Sequence, residues 1–246
     1  MKNAKILITG ASRGIGQAIA LKLSQEGFSL VLHARQDESL IETISQLKEG
    51  IAYETITADL ADPNQVKGFL SALKKAHKDL YGIVSNAGIT SDKPIAYQPE
   101  KEIDLLLQVN LKVPILLGKY AMKHFMKTKK GFFVNISSVV GEIGNAFQSV
   151  YGASKAGITA LSKSWAKEIG QLVPDHEVRF LTVSPGFIET DMTDQLTPAI
   201  KSLYKKSIPS NRFGHPGEVA NLIAFLLSEQ SPYINGSEIK INGGIA

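Results

Sequence analysis

The sequence predicts an α/β fold: one domain on a doubly wound parallel sheet with helices on both faces. Seven short strand-like runs alternate along the 246 residues with segments of helical periodicity, an order that requires right-handed crossovers between parallel strands. A glycine-rich stretch, TGASRGIG, separates the first such run from the first helical segment, the arrangement of a phosphate-binding turn. The polar motifs then fall, one after another, at the carboxyl ends of the runs, where sheets of this kind gather their ligands.

In chain order, strands are expected at Ala4–Thr9, Ser29–His33, Ala52–Thr57, Tyr81–Ser85, Gly131–Ile136, Val178–Val183 and Ser237–Ile241. The first ends at once in Gly10 and is too short for a secretory core. A helix follows over Ile15–Glu26. Phe132, Phe133 and Val134 make the fifth strand a buried one. One long helix is expected over Pro99–Lys127, and a second over Tyr151–Gly170, where Ile158, Leu161, Trp165 and Ile169 recur at helical spacing with no proline.

A hydrophobic content of 43% fills one core, and nothing marks a linker, a repeat or a low-complexity tract, so residues 1–246 read as a single domain. No apolar stretch is long enough to span a bilayer. The absence of cysteine excludes disulfides, thiol catalysis and cysteine-bound metals and suits the cytoplasm. The net charge of +4 and pI near 9.0 come from basic residues spread along the chain, which points away from nucleic acid and suits an anionic cofactor and an acidic partner.

Gly10, Gly14 and Gly16, spaced GxxxGxG with Ser12, Arg13 and Ile15 between and beside them, let backbone approach a dinucleotide diphosphate at a helix amino end; a glycine-rich turn without a ligand is the plainer alternative. After the second strand, where an NAD site carries an acidic residue, the chain reads His33, Ala34, Arg35. Arg35, with Arg13, favours the 2′-phosphate of NADP(H), while Asp37 and Glu38 leave NAD open and either arginine could be a solvated surface charge. Asp59 and Leu60 place a carboxylate near the adenine edge, the alternative for Asp59 being an N-cap before Pro63. Asn86, Ala87 and Gly88 form a small-residue turn after the fourth strand.

Ser138 lies just past the fifth strand, and Tyr151 and Lys155, four apart, share one face of a helix. A free phenol has a pKa of about 10, and a neighbouring ammonium favours the phenolate, as general acid chemistry near neutrality needs. Tyr97 and Lys101 repeat the spacing, but Pro99 between them makes that pair a loop entering a helix. Pro114 has no N–H for the carbonyl of Asn110, so a kink is expected that frees this carbonyl for water.

TGASRGIG, SNAGIT, NISSVVG, YGASKAG, PGFIETDM and NGSEIKINGG, in this order along the whole chain, resemble the short-chain dehydrogenase/reductase family, and within it the bacterial 3-oxoacyl-[acyl-carrier-protein] reductases. The resemblance implies a Rossmann-type fold and reduction of 3-oxoacyl thioesters by NADPH. Tyr151 would protonate the carbonyl oxygen, Ser138 rather than Ser137 would hydrogen-bond it, and Lys155 would hold the ribose hydroxyls and lower the pKa of Tyr151. Asn110 would hold a water relaying protons to Lys155. Pro185, Gly186, Ile188 and Thr190 would grip the nicotinamide carboxamide, and the segment Asp191–Arg212 would cover the substrate, beside pocket-wall candidates Ile143, Phe147, Gln148 and Phe187. A homotetramer built on the two long helices and the last strand is also implied. The chain departs from the family pattern at Ser85, where an asparagine is usual, and at QLVPDHEV (171–178), which lacks a basic residue for an acidic carrier protein; Lys127, Lys129 and Lys130 are the substitutes, or else a solvated helix end. A reductase of small free ketones, or an idle dinucleotide-binding subunit, are the competing readings.

Overall fold

A computed structural model describes residues 3–190, 193 and 197–246. Seven strands, β1 (Lys5–Thr9), β2 (Ser29–Ala34), β3 (Tyr53–Thr57), β4 (Leu80–Ser85), β5 (Lys130–Ile136), β6 (Glu177–Pro185) and β7 (Glu238–Ile241), form one sheet in the order β3-β2-β1-β4-β5-β6-β7. All pairs are parallel. The chain winds outward from β1 in one direction, returns, and winds outward in the other. The reversal lies between β1 and β4, so a crevice opens at their carboxyl ends.

Helices α1 (Gly14–Gln25), α2 (Ile41–Ser45), α3 (Pro63–Ala76), α4 (Glu100–Leu107), α5 (Val113–Thr128), α6 (Val140–Ile143), α7 (Ser149–Leu172), α8 (Pro198–Ser207) and α9 (Pro216–Leu227) connect the strands. Two cores lie on opposite faces of the sheet. One packs Ile6, Ile8, Leu32, Val134 and Val183 against Ile19 and Leu23 of α1 and Ile223 and Leu227 of α9. The other packs Leu7, Val31, Phe133 and Phe180 against α3, α5 and α7. The central strands, buried on both faces, show apolar runs instead of alternation; the edge strands β3 (YETIT) and β7 (EIKI) are exposed or half-buried, and all seven lie within two residues of the bounds expected from the sequence.

The long helix expected over 99–127 is not one α-helix. Its ladder widens to a π turn over Gln108–Lys112, where the Val113 N–H donates to the Gln108 carbonyl, and α5 resumes behind it. The physical cause is the expected one, Pro114 lacking an N–H for residue 110, but the helix accommodates it by an extra residue in the turn rather than by a kink alone. Tyr97 is 80% exposed in a 3-10 turn and Pro99 is the N-cap of α4, so Tyr97 and Lys101 do not share a helix.

Trp165 of α7 lies edge-on to Phe133, 5.5 Å between ring centroids, and 5.7 Å from Phe180. Helix α5 meets this indole at Gly118, where a Cβ would collide with the six-membered ring. Gly118→Ala therefore forces α5 and α7 apart, and we expect a loss of about 2 kcal/mol or more, read as an earlier denaturation midpoint; an unchanged midpoint would show that the indole can move aside.

Candidate active site at the sheet reversal

The glycine turn is shaped by what stands behind it. Gly10 and Gly14 have φ of +66° and +55°, values that glycine adopts without a steric cost. A Cβ on Gly16 would strike the Gly10 carbonyl oxygen and lie 2.6 Å from the Asn86 amide nitrogen, so only glycine lets α1 start this close beneath the turn. Ser12 and Ile15 are partly buried, and Arg13, the exposed N-cap of α1, is extended with φ −163°. The first turn of α1 thus presents unpaired N–H groups and the positive end of a helix dipole to the crevice.

Thr9 and Asn86 hold the turn in register with β4. The Thr9 hydroxyl accepts the N–H groups of Asn86 (2.9 Å) and Ala87 (3.0 Å). The Asn86 side chain donates back to the carbonyls of Thr9 (3.0 Å) and Gly10 (3.2 Å). Ser85, where the family pattern has an asparagine, is buried and takes no part in this reciprocal bond. Across the crevice, Thr190 reaches the glycine turn from the β6 side: a Cβ on Gly14 would be 3.3 Å from its Cγ2. Gly186 packs against Asn242 and donates its N–H to the Ile241 carbonyl at 3.0 Å, and Ile188 is buried. Pro185 closes β6.

The proton-handling groups lie next to this cradle. Lys155 is buried, its Nζ donating to the Ile136 carbonyl at 2.9 Å and lying 5.6 Å from the centre of the Tyr151 ring. Burial lowers its pKa to about 8. Burial also pushes the Tyr151 phenol above its ordinary value, opposed by a hydrogen bond with Ser138 and reinforced by the charge of Asp92. Burial thus disfavours the charged form of both groups, and the ammonium lies over the face of the phenol ring. The Ser137 hydroxyl donates to the Lys155 carbonyl at 2.8 Å, while the Ser138 hydroxyl accepts the Val140 N–H at 3.2 Å.

Asn110 is buried under the same group. Its Oδ1 accepts the Ile89 N–H (2.9 Å) and its Nδ2 donates to the Ile89 carbonyl (2.8 Å), so the amide clamps the loop after β4. A Cβ on the exposed Gly88 would come within 3.4 Å of both Asn110 Oδ1 and Lys155 Nζ; the missing side chain leaves room beside the ammonium.

Arg35, Asp37 and Glu38 are exposed past the end of β2, and past β3 Asp59 is partly buried and Leu60 buried. Asp62, not Asp59, caps α3, accepting the Asn64 N–H at 2.8 Å, while Asp59 Oδ1 accepts the Ala61 N–H at 2.9 Å. At the mouth, Ile143 and Phe147 are half exposed, Gln148 donates to Asp92 at 2.9 Å, and Phe187 stacks on Tyr204 of α8, 4.3 Å between centroids. Of the proposed cover, Asp191, Met192 and Asp194–Leu196 lie outside the described residues. Lys130 pairs with Glu177 at 2.9 Å, and Lys129 is a left-handed helix cap. Sequence reasoning overlooked Thr9 and Asp92, and read His33 only as a strand end; a polar residue ending an otherwise apolar strand is the signal that marks Thr9 and His33.

The family model described as enoyl-(acyl carrier protein) reductase matches residues 10–246. The chain is 37% identical over 241 residues to the 3-oxoacyl-[acyl-carrier-protein] reductase of Staphylococcus aureus, covering 97% of this chain and 96% of that one. It is 38% identical over 249 residues, at the same coverage, to the reductase of that name from Aquifex aeolicus. A crystal structure assigned as a gluconate dehydrogenase from Agrobacterium tumefaciens superposes with a TM-score of 0.91 at 27% identity, covering 99% of this chain and 96% of that one. The chain belongs to the short-chain dehydrogenase/reductase family, whose members are oxidoreductases that use a nicotinamide dinucleotide. Among the described residues, no helix is long and apolar enough to cross a membrane.

Because Lys155 is held at about 8 against 10.5 in the unfolded chain, the unfolded state binds the extra proton between these values and stability rises with pH across that window. Lys155→Met is expected to remove this slope and to gain about 1–3 kcal/mol near pH 7. Urea midpoints at pH 7 and pH 9 check both; a variant less stable than the native chain at pH 7 would contradict the assignment.

Proposed function

We propose that the chain is an NADPH-dependent reductase of 3-oxoacyl thioesters borne on an acyl carrier protein, acting in fatty acid synthesis or a related polyketide-like pathway. The observation that carries the reading is the buried Lys155, its Nζ on the Ile136 carbonyl and over the face of the Tyr151 ring, set against the glycine turn at the sheet reversal. The relatives' names support the substrate class.

Gly10, Ser12, Arg13, Gly14, Ile15 and Gly16 would hold the diphosphate, Arg35 the 2′-phosphate, Asp59 and Leu60 the adenine edge, Asn86, Ala87 and Gly88 the ribose side, and Pro185, Gly186, Ile188 and Thr190 the nicotinamide amide. When bound, the dinucleotide supplies the hydride. Ser138 orients the substrate carbonyl, and Tyr151 donates its phenolic proton to the carbonyl oxygen as that oxygen gains charge. Lys155 holds the ribose hydroxyls and, as an ammonium, restores the proton to the phenolate. Asn110, fixed on Ile89, sets the wall of the channel by which water recharges Lys155. The apolar residues Leu105, Ile115 and Met126, partly exposed on α4 and α5, and the fully exposed Tyr233 suit burial in a homotetramer. A cysteine-free chain suits the cytoplasm.

A second reading, reduction of small free ketones, is favoured by one observation: Lys130, a candidate for carrier docking, already pairs with Glu177. NADPH oxidation with a carrier-bound 3-oxoacyl thioester against a panel of free ketones separates the two. We expect turnover on the thioester; turnover on the ketones alone transfers the chain to the second reading. Tyr151→Phe should still bind NADPH and lose activity by at least about a hundredfold, and substantial remaining turnover would mean that the proton comes from elsewhere. Arg35→Asp should move the NADPH/NADH preference in kcat/KM by about tenfold or more toward NADH; an unmoved ratio removes Arg35 from the phosphate site.

A further inference from the structure

His33 is a histidine at the end of a buried parallel strand, 2% exposed, with both ring nitrogens engaged by main chain. Nδ1 is 3.2 Å from the Gly10 nitrogen, and that backbone group can only donate, so Nδ1 must accept. Nε2 is 3.2 Å from the Ala58 carbonyl oxygen, which can only accept, so Nε2 must carry the proton. The contacts therefore fix a single neutral tautomer. Burial agrees, holding the pKa at about 4. The ring also rests on Phe69, 5.0 Å between centroids, which sets its plane.

The two contacted groups belong to different loops. Gly10 opens the glycine turn after β1. Ala58 precedes Asp59 and Leu60 after β3, and β2 separates the two strands in the sheet. The main chain alone links the turn to β2 by the Ala11 N–H to the His33 carbonyl (2.9 Å), and β2 to the next loop by the Ala58 N–H to the Ala34 carbonyl (3.1 Å). The imidazole adds a direct strut across all three.

We propose that His33 is a positioning residue for the dinucleotide: its ring fixes the distance between the turn that receives the diphosphate and the loop that receives the adenine edge. This rests on the cofactor reading of the preceding section. A ring that bonds Gly10 N–H from behind also keeps that amide from rotating out of the turn, so the strut acts before any ligand arrives. His33 touches no reacting group, and its effect falls on cofactor affinity, not on the chemical step.

The test uses the full-length protein with His33→Phe and His33→Asn. Phenylalanine keeps a ring of similar size and accepts no hydrogen bond. Asparagine keeps an acceptor near the position of Nδ1. We expect NADPH binding by titration calorimetry to weaken about tenfold in His33→Phe, the worth of one buried hydrogen bond, and to recover to within about threefold of native in His33→Asn. In turnover the KM for NADPH should rise with kcat and the KM for the carbonyl substrate unchanged. Nitrogen-15 shifts of the native imidazole near pH 7 should show a bare Nδ1 and a protonated Nε2, and amide exchange at Gly10 should quicken in His33→Phe. A protonated Nδ1, an unchanged affinity in His33→Phe, or equal losses in both variants would overturn the strut. If the native chain binds neither NADPH nor NADH, the cofactor reading has failed; the imidazole shifts of the native protein then decide whether the strut itself exists, and this needs no folded variant.

Discussion

The reciprocal bonding between Thr9 and Asn86 is the constraint on which the site depends. Strands β1 and β4 diverge in their connections at the reversal of the sheet, so no crossover element lies between their carboxyl ends. Something must hold the crevice at a fixed width, and four hydrogen bonds between one hydroxyl, one amide and the adjoining main chain do so. Removing the Thr9 hydroxyl leaves the Asn86 and Ala87 N–H groups without this partner, and removing the Asn86 amide does the same to the Thr9 and Gly10 carbonyls, which costs more than the bonds themselves contribute. Gly16 then follows as a steric necessity, because the Asn86 amide occupies the space where its Cβ would lie.

The same region shows stability conceded to chemistry. Lys155 holds its ammonium against the Ile136 carbonyl and the Tyr151 ring, and burial of such a charge opposes folding. The fold holds it there because α7 is anchored elsewhere, by the aromatic cluster of Trp165, Phe133 and Phe180. The phenol tells a related story. The expectation that the lysine lowers its pKa is not what dominates in this arrangement; burial raises it, Ser138 draws it back, and Asp92 adds a charge that sequence reasoning did not weigh.

What the sequence made legible was the order of strands and the residues at their ends, because a strand buried on both faces announces itself as an apolar run and its ligand groups follow at once in the chain. That Tyr151 and Lys155 share one helix was legible too, because the proline-free segment after the fifth strand keeps helical spacing. What stayed hidden were contacts between loops distant in sequence. Nothing local tells that His33 bonds Gly10, that Asp92 accepts from Gln148 at the start of α7, or that Lys130 is held by Glu177 in the departure segment itself. The interruption at Pro114 was legible, but its form was not, because a proline excludes one hydrogen bond without dictating whether the helix bends or widens.

Helix α7 joins Tyr151 and Lys155 to the core in a single rod of 24 residues. Tyr151 lies near its start and Trp165 fourteen positions on, about 21 Å along the axis at 1.5 Å per residue. The indole is the fulcrum and the phenol the end of the lever arm. A tilt of about 3° at the aromatic cluster swings the hydroxyl by roughly 1 Å, the scale on which misplacement costs about a hundredfold in rate. The packing of an indole against two phenyl rings therefore sets how precisely the Tyr151 phenol is held.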